Sequence, residues 1–350
     1  MKQIVGQKTK KFFGVIVFLI LSLLSYANEK TFEIGISQFA EHPALDAVRK
    51  GFEDELKELG VKVNIDYKNS QGDTGTAGMI AQKFVADKKD LIFAIATPSA
   101  QAAKQATDNI PILFSAVTDP VSAQLVNSNE KVGGNITGTS DAAPIEKQLA
   151  LFKELNPKVK KVAIIYNTSE ANSEVQINTA KKVSKKLDIE IIPVGVNNIN
   201  DIPQAVNSVI RKVDGFYTIT DNIVASAINL ISKAAIKNKK ITIGAEEAHV
   251  QGGVLMTDGL SYYELGRQTG AMAKKILVDK VAVQDIPVEI SKNTKKVVNK
   301  NTLNKLKFSE NSEAFSGASD RQDHSGRGSG TSYLCPSLAP GSGKSDYSSA

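Results

Sequence analysis

Tryptophan is absent from the 350 residues, and Cys335 is the only cysteine. A lone cysteine excludes an intramolecular disulfide even in an oxidising compartment. With His42, His249 and His324 as the only histidines, a Cys/His zinc site has too few ligands. Signatures of catalysis are missing too. There is no Gly-x-Ser-x-Gly elbow, no phosphate loop Gly-x4-Gly-Lys-Ser/Thr and no His-Glu-x-x-His, the spacings that common nucleophile, nucleotide and metal chemistries require. Gly133-Gly-Asn-Ile-Thr-Gly138 lacks the order of a dinucleotide fingerprint and reads as a loop entering a strand. The sequence therefore calls for no catalytic residues, no metal and no cofactor. Basic residues do not interleave with aromatics anywhere, so nucleic acid is not an expected partner.

Long apolar runs are also lacking. The one candidate, Phe12–Leu24, has 13 residues (FFGVIVFLILSLL), short of the ~20 that span a bilayer. Before it stand Lys2, Lys8, Lys10 and Lys11, and after it Ser25-Tyr26-Ala27. Basic residues, a short apolar run and small residues in that order mark a secretory signal peptide over 1–27, cleaved after Ala27; an uncleaved membrane anchor is the competing reading. No cysteine follows the run, which argues against a lipid anchor, so a soluble, exported protein of the periplasm is expected. The four lysines account for most of the net charge of +6, leaving the rest close to neutral.

What is present, from residue 31 onward, is an alternation of strand and helix patterns. Phe32–Ser37 reads as a strand, and 43–59 as a helix with apolar residues at Leu45, Val48, Phe52, Leu56 and Leu59. Strands 61–67, 91–96, 110–114 and 136–139 follow, with helices over 74–87 and 99–107. The rhythm restarts with strands 162–166, 189–194, 215–219 and 241–243, between helices 173–187, 202–211 and 223–236; a further helix covers 262–277. Uninterrupted apolar strands separated by helices indicate parallel sheets covered on both faces. The fold class is α/β, in two lobes of similar length. Residues 309–350, with 12 Ser and 6 Gly, have no apolar periodicity and read as a disordered tail.

Ligands of open parallel sheets bind outside the carboxyl ends of the strands. In the first lobe those ends carry Gln38 to His42, Thr97-Pro-Ser99, Ser115 to Asp119 and Thr139 to Asp141. In the second they carry Asn167 to Asn172, Thr220-Asp-Asn222 and Ala245 to Glu247. The first lobe thus offers hydroxyls and helix N-termini suited to an anion, and the second offers Glu170, Asp221 and Glu246, suited to an ammonium. A zwitterion such as an amino acid needs both. The same residue types are ordinary helix N-caps, so capping stands beside binding for each of them. Glu246-Glu247 with His249 reads as an acidic helix start rather than a metal cluster.

The motifs QFAEHPALD, ATPSAQ, FSAVTDPV, TGTSD, YNTSEANS, TDN, GAEE and TDGLSYYELGRQTG together resemble the ABC-transporter substrate-binding proteins of the tryptophan/tyrosine type, over residues 31 to about 307. The resemblance implies a periplasmic binding protein of type I: two Rossmann-like lobes with parallel sheets, joined by a hinge that the chain crosses three times. Crossings are expected near 139–142, 256–259 and 285–288. The first lobe would comprise 31–141 and about 258–284, and the second 142–257 and about 285–307. It implies capture of a small solute, often an aromatic amino acid, by a monomer that delivers it to an ABC permease and its ATPase. The site it implies comprises Gln38, Glu41, His42, Thr97, Ser99, Ser115, Ala116, Val117, Thr118, Glu170, Ala171, Asn172, Asp221, Asn222, Ala245 and Glu246. Within it Thr97, Ser99 and Ser115 are expected to hold a carboxylate and Asp221 an ammonium. Tyr166 either walls the pocket or packs in the core. A ligand-sensing receptor module, or a binder of a sugar or nucleoside, is the alternative function.

Overall fold

The computed structural model describes residues 30–290, 294–310 and 312–321; the segment read as a signal peptide, His324 and Cys335 lie outside them. In chain order the first lobe holds β1 (Phe32–Gln38), α1 (Pro43–Glu58), β2 (Val63–Asn69), α2 (Thr74–Ala86), β3 (Leu91–Ile95), α3 (Thr97–Ala106), β4 (Ile112–Val117) and β5 (Ile136–Ser140). The second holds α4 (Ile145–Leu155), β6 (Lys161–Asn167), α5 (Ala171–Ser184), β7 (Glu190–Val196), α6 (Ile202–Val209), β8 (Gly215–Thr218), α7 (Asn222–Ser226), α8 (Ile228–Lys237), β9 (Ile241–Glu246), α9 (Glu247–Gln251) and β10 (Met256–Leu260). Then come α10 (Tyr262–Leu277), β11 (Glu289–Ile290), β12 (Lys295–Asn299), α11 (Lys300–Leu306) and β13 (Ser319–Arg321).

One sheet runs β11-β5-β4-β3-β1-β2 and the other β13-β12-β10-β9-β8-β6-β7. Among the described pairs only β10 with β12 is antiparallel. β3 and β4 are buried along their whole length, as continuous apolar runs require when helices cover both faces. Phe52 of α1 stacks on Phe93 of β3 with ring centroids 4.0 Å apart, joining helix layer to sheet. In the second lobe the buried Tyr217 hydroxyl donates to Gln148 of α4 at 2.6 Å. The Gln148 amide in turn donates to the carbonyls of Ala245 and Asp258, tying α4 to β9 and β10.

The lobe boundaries differ from expectation at two places. β10 pairs within the second sheet through Leu260, so the second passage falls at Ser261 and residues 258–260 belong to the second lobe. β11 pairs with β5 of the first sheet, so the third passage lies between Ile290 and Lys295, and residues 285–290 belong to the first lobe. Two-residue β11 is too short to show an alternating pattern of its own. The tail reading is corrected as well, for residues 312–321. Phe315 is buried against the second core, edge-on to Phe308 at 6.2 Å, and β13 adds to β12 in parallel. A single well-placed phenylalanine is invisible to an average over a Ser/Gly-rich stretch.

Helix α10 returns to the first lobe and lies against α1 at unusually close range. A Cβ at Gly266 would sit 2.0 Å from the Val48 carbonyl oxygen, and one at Gly51 2.1 Å from that of Tyr263. In an isolated helix Gly→Ala gains about 1 kcal/mol. Here the obstacle is backbone, which cannot swing aside. Gly266→Ala is therefore expected to destabilise by roughly 1–3 kcal/mol, the usual cost of overpacking, and thermal unfolding of the variant should show the lowered midpoint.

Candidate functional site

Two strand ends of the first lobe carry strained backbone. β3 is followed by Ala96, a non-glycine residue with φ 80° and ψ 156°, and β4 slips register between Phe114 and Val117 around Ala116 at φ 56°. Left-handed backbone at alanine is strained by about 1–3 kcal/mol and persists only where the surroundings hold it. Across the gap, Asp221 and Glu246 cap α7 and α9: Asp221 accepts from the Val224 N–H, and Glu246 from that of Ala248 at 2.5 Å.

The two lobes touch at these ends. His42 Nε2 and Asn222 Oδ1 are 3.2 Å apart, and the hydroxyls of Thr118 and Thr220 are also 3.2 Å apart. Tyr262, the first residue of α10, donates its hydroxyl to Asp141 at the end of β5, so one bond links the residues beside two of the three passages. Between the lobes lies a tight cavity of about 20 Å³, walled on one side by His42, Ala44, Leu45, Ala116, Asp141 and Tyr262. Asn172, Thr220, Asp221, Asn222, Ala225, Glu246 and His249 form the other side. Small-molecule sites have this mixture of apolar wall and a few convergent polar groups.

Buried polar atoms normally find partners, so those that do not are informative. Among the described residues, His42 Nδ1, Asp141 Oδ1, Asn172 Oδ1, Glu246 Oε1 and His249 Nε2 have none, and all five belong to residues that line this cavity. Their polarity follows from their other bonds. Asn222 gives its amide N–H to Glu170 at 2.5 Å, so its Oδ1 is an acceptor and His42 must carry its proton on Nε2, leaving Nδ1 as a lone pair. His249 Nδ1 is 3.0 Å from the Thr218 hydroxyl, and its Nε2 is 3.3 Å from Glu246 Oε1. His42 Nδ1 and Asn172 Oδ1 are acceptors, and Asp141 Oδ1 and Glu246 Oε1 become acceptors when their carboxyls are ionised.

Burial shapes their protonation. It pushes the Glu246 carboxyl up to about 8 and drives Asp141 upward. It pulls His42 down to about 4 and His249 to about 3, so both imidazoles are neutral near pH 7. The proton kept on Glu246 is the hydrogen available to the Glu246–His249 pair. Behind the wall, Glu170 is raised to about 8 by burial and by Asp221, and burial raises Asp221 in turn.

Of the residues anticipated from sequence, the cavity brings together His42, Ala116, Asn172, Asp221, Asn222 and Glu246. Thr118 makes the interlobe contact just described. Ser99 faces Ser37 at 3.4 Å, Ser115 is bonded to Thr139 at 2.8 Å, and neither they nor Thr97 lines the cavity. Gln38 ties Ala40 to Asp46. Glu41 and Ala171 are exposed, Val117 is in the first-lobe core, Ala245 is buried in β9, and Tyr166 packs against the second core. Asp221 lines the cavity, yet its carboxylate already accepts from Asn167 N–H at 2.6 Å, Ser173 hydroxyl at 2.7 Å and Val224 N–H at 2.9 Å. Ala44, Leu45, Asp141, Thr220, Ala225, His249 and Tyr262 go beyond the anticipated site, although Asp141 and Thr220 stand at strand ends. Tyr262 and Ala44 each stand in the first turn of a helix beginning at the cleft, a position that a list confined to strand ends passes over.

Two mostly parallel sheets, three passages and a polar cavity between facing strand ends define a two-lobed solute-binding protein of the type I periplasmic binding fold. The family model for ABC transporter substrate binding proteins matches residues 33–320, and the chain belongs to that family. It is 46% identical over 283 residues to a tyrosine-binding protein of Clostridioides difficile strain R20291, covering 80% of this chain and 82% of that protein. A domain from Streptococcus pneumoniae crystallised with L-tryptophan is 33% identical with a TM-score of 0.80, over 83% of this chain and 99% of the other. A ligand-free, open substrate-binding protein with adhesive properties from Clostridium difficile is 44% identical with a TM-score of 0.65, over 83% and 99%.

The buried titrating groups predict a particular pH profile. A carboxyl raised from 4.5 to about 8, as Glu246 is, holds in the folded state a proton that the unfolded chain releases above 4.5, so its contribution to stability falls as pH rises toward 8. The histidines act oppositely: lowered from 6.5, to about 4 for His42, they cost stability as pH falls below 6.5. Above pH 6.5 only the carboxyls remain. Urea unfolding of the unliganded protein should show stability declining from pH 6.5 to 8, by at most about 1.4 kcal/mol per pH unit for each carboxyl. Glu246→Gln should flatten that decline.

Proposed function

We propose that the protein captures an aromatic α-amino acid, tyrosine or tryptophan, in the interlobe cavity and delivers it to an ABC permease and its ATPase. The observation that carries this reading is the unpartnered buried oxygens of Asp141 and Asn172, with His42 Nδ1, beside the buried Glu246–His249 pair on the cavity wall. A protonated amine is the ligand group that donates in three directions, and it replaces the proton on Glu246 with a favourable charge. In this reading Asp141, Asn172 and Glu246 receive the ammonium, and the saturated Asp221 holds α7 in place beside them. The carboxylate is assigned to the first turn of α1, which has no side-chain cap and whose Ala44 and Leu45 line the cavity; helix N-termini favour anions. Leu45, Ala116 and Ala225 supply apolar wall. The named ligands of two relatives, tyrosine and L-tryptophan, agree with this chemistry.

The protein acts outside the cytoplasmic membrane, in the periplasm, as a monomer, and carries out no reaction of its own. Closure is the working motion: contacts to both lobes exist only when they are together, so a ligand selects that state. The better match to the L-tryptophan complex than to the open relative, despite lower identity to it, supports a closed arrangement here.

Titration calorimetry separates the parts of this proposal. L-Tyrosine or L-tryptophan should bind, and 3-(4-hydroxyphenyl)propionate, which lacks the ammonium, should bind at least about 100-fold more weakly, the scale of losing several charge-assisted hydrogen bonds. Binding of neither amino acid, or equal binding of the deaminated analogue, sinks the reading. Small-angle scattering should show compaction on addition of the amino acid.

A further inference from the structure

Glu170 is 2% exposed and absent from the cavity wall, although it stands at the N-cap of α5 without capping it. Three side-chain amides converge on its carboxyl group. Asn167 donates to Oε1 at 3.1 Å, and Asn172 and Asn222 donate to Oε2 at 3.1 and 2.5 Å. We propose that Glu170 is a positioning residue for the ligand site: it touches no ligand, but by drawing in the amide N–H groups of Asn172 and Asn222 it turns their oxygens outward, and so decides that the wall offers acceptors.

The reasoning rests on what each amide would do without it. A primary amide can exchange its oxygen and nitrogen by a half-turn with almost no change of shape, so only its partners decide which end faces where. Asn172 has a second partner for its N–H, the Thr220 carbonyl at 3.0 Å. Among the described residues, Asn222 has none for that nitrogen beyond Glu170. Its orientation therefore depends on Glu170, and the consequence reaches the other lobe. With Oδ1 toward His42 at 3.2 Å, the imidazole carries its proton on Nε2 and shows the cavity a lone pair. With Asn222 reversed, Nε2 would become the acceptor, and the proton on Nδ1 would face the ligand. The polarity of the first-lobe wall is thus set from the second lobe, by a carboxyl that does not itself reach the cavity. This deepens the proposed ammonium site and rests on that reading for its binding readout only.

The test uses the full chain at pH 8.5, above the value of about 8 to which the Glu170 carboxyl is pushed, and Glu170→Gln, whose amide offers one acceptor and one donor in place of the carboxylate's two acceptors. Nitrogen NMR of His42 in the unliganded protein is expected to move from the Nε2–H to the Nδ1–H pattern, and affinity for L-tyrosine to fall about 10- to 100-fold, the loss for one misdirected hydrogen bond to a charged group. Glu170→Gln with Asn222→Asp restores a donor facing an acceptor and again presents an oxygen to His42. It is expected to return the Nε2–H pattern and most of the affinity. A variant less stable but with the wild-type His42 pattern and unchanged affinity would show a structural role alone and overturn the proposal. Should Glu170→Gln fail to fold, the double variant decides: a His42 protonated on Nδ1 there overturns it. Failure of the wild-type protein to bind L-tyrosine counts against the ligand reading, and the imidazole pattern still decides the role of Glu170.

Discussion

Desolvation of carboxyl groups between the lobes is the constraint to which the rest of the structure answers. Asp141, Glu170, Asp221 and Glu246 are each no more than 3% exposed, and an unpaired buried charge is prohibitively costly. Each is accommodated differently. Asp221 is saturated by backbone and hydroxyl donors, Glu170 by three amides, Asp141 by a tyrosine hydroxyl on one oxygen and Glu246 by one N–H. Two are thus complete and two are left half-satisfied, both on the cavity wall. That division separates the groups that hold the site from those that remain to be answered by a ligand.

The architecture makes such a division workable. Parallel strands deliver all their carboxyl ends to one edge of each sheet, so two lobes facing edge to edge bring polar loops together without exposing either core. Close packing of α10 on α1 through Gly51 and Gly266 makes the returning helix part of the first lobe. Tyr262, at its start, can then reach Asp141 from a rigid base. The interlobe bonds, His42 to Asn222 and Thr118 to Thr220, are few and polar.

Much of the fold was legible in the sequence because periodicity is local. The continuous apolar runs at β3, β4, β6 and β8 mark buried parallel strands, and the spacing of apolar residues over 262–277 matches α10. Boundaries that depend on pairing were less legible. β11 is two residues long and earns its place in the first sheet only from β5. Helix 223–236 divides at Ala227 into α7 and α8, and Phe315 finds its cleft in the second core only after the chain has folded. In the site, strand-end logic led to His42, Asn172, Asp221, Asn222 and Glu246. It also led to Ser99 and Ser115, whose hydroxyls bond to neighbours inside the first lobe.

The sequence by itself determined the two-lobed α/β plan, the polar character of the strand ends and the family, since each is carried by residue types and spacing along the chain. Which polar groups face a ligand was decided only by tertiary structure. An aspartate or asparagine at a strand end has the same local signature whether it caps a helix, braces a neighbour or meets a solute. The difference lies in partners from distant segments: Glu170 with Asn222, Asn222 with His42, Tyr262 with Asp141. Hydrogen bonds saturate, so the atoms left without a partner can be identified only when every partner is in place.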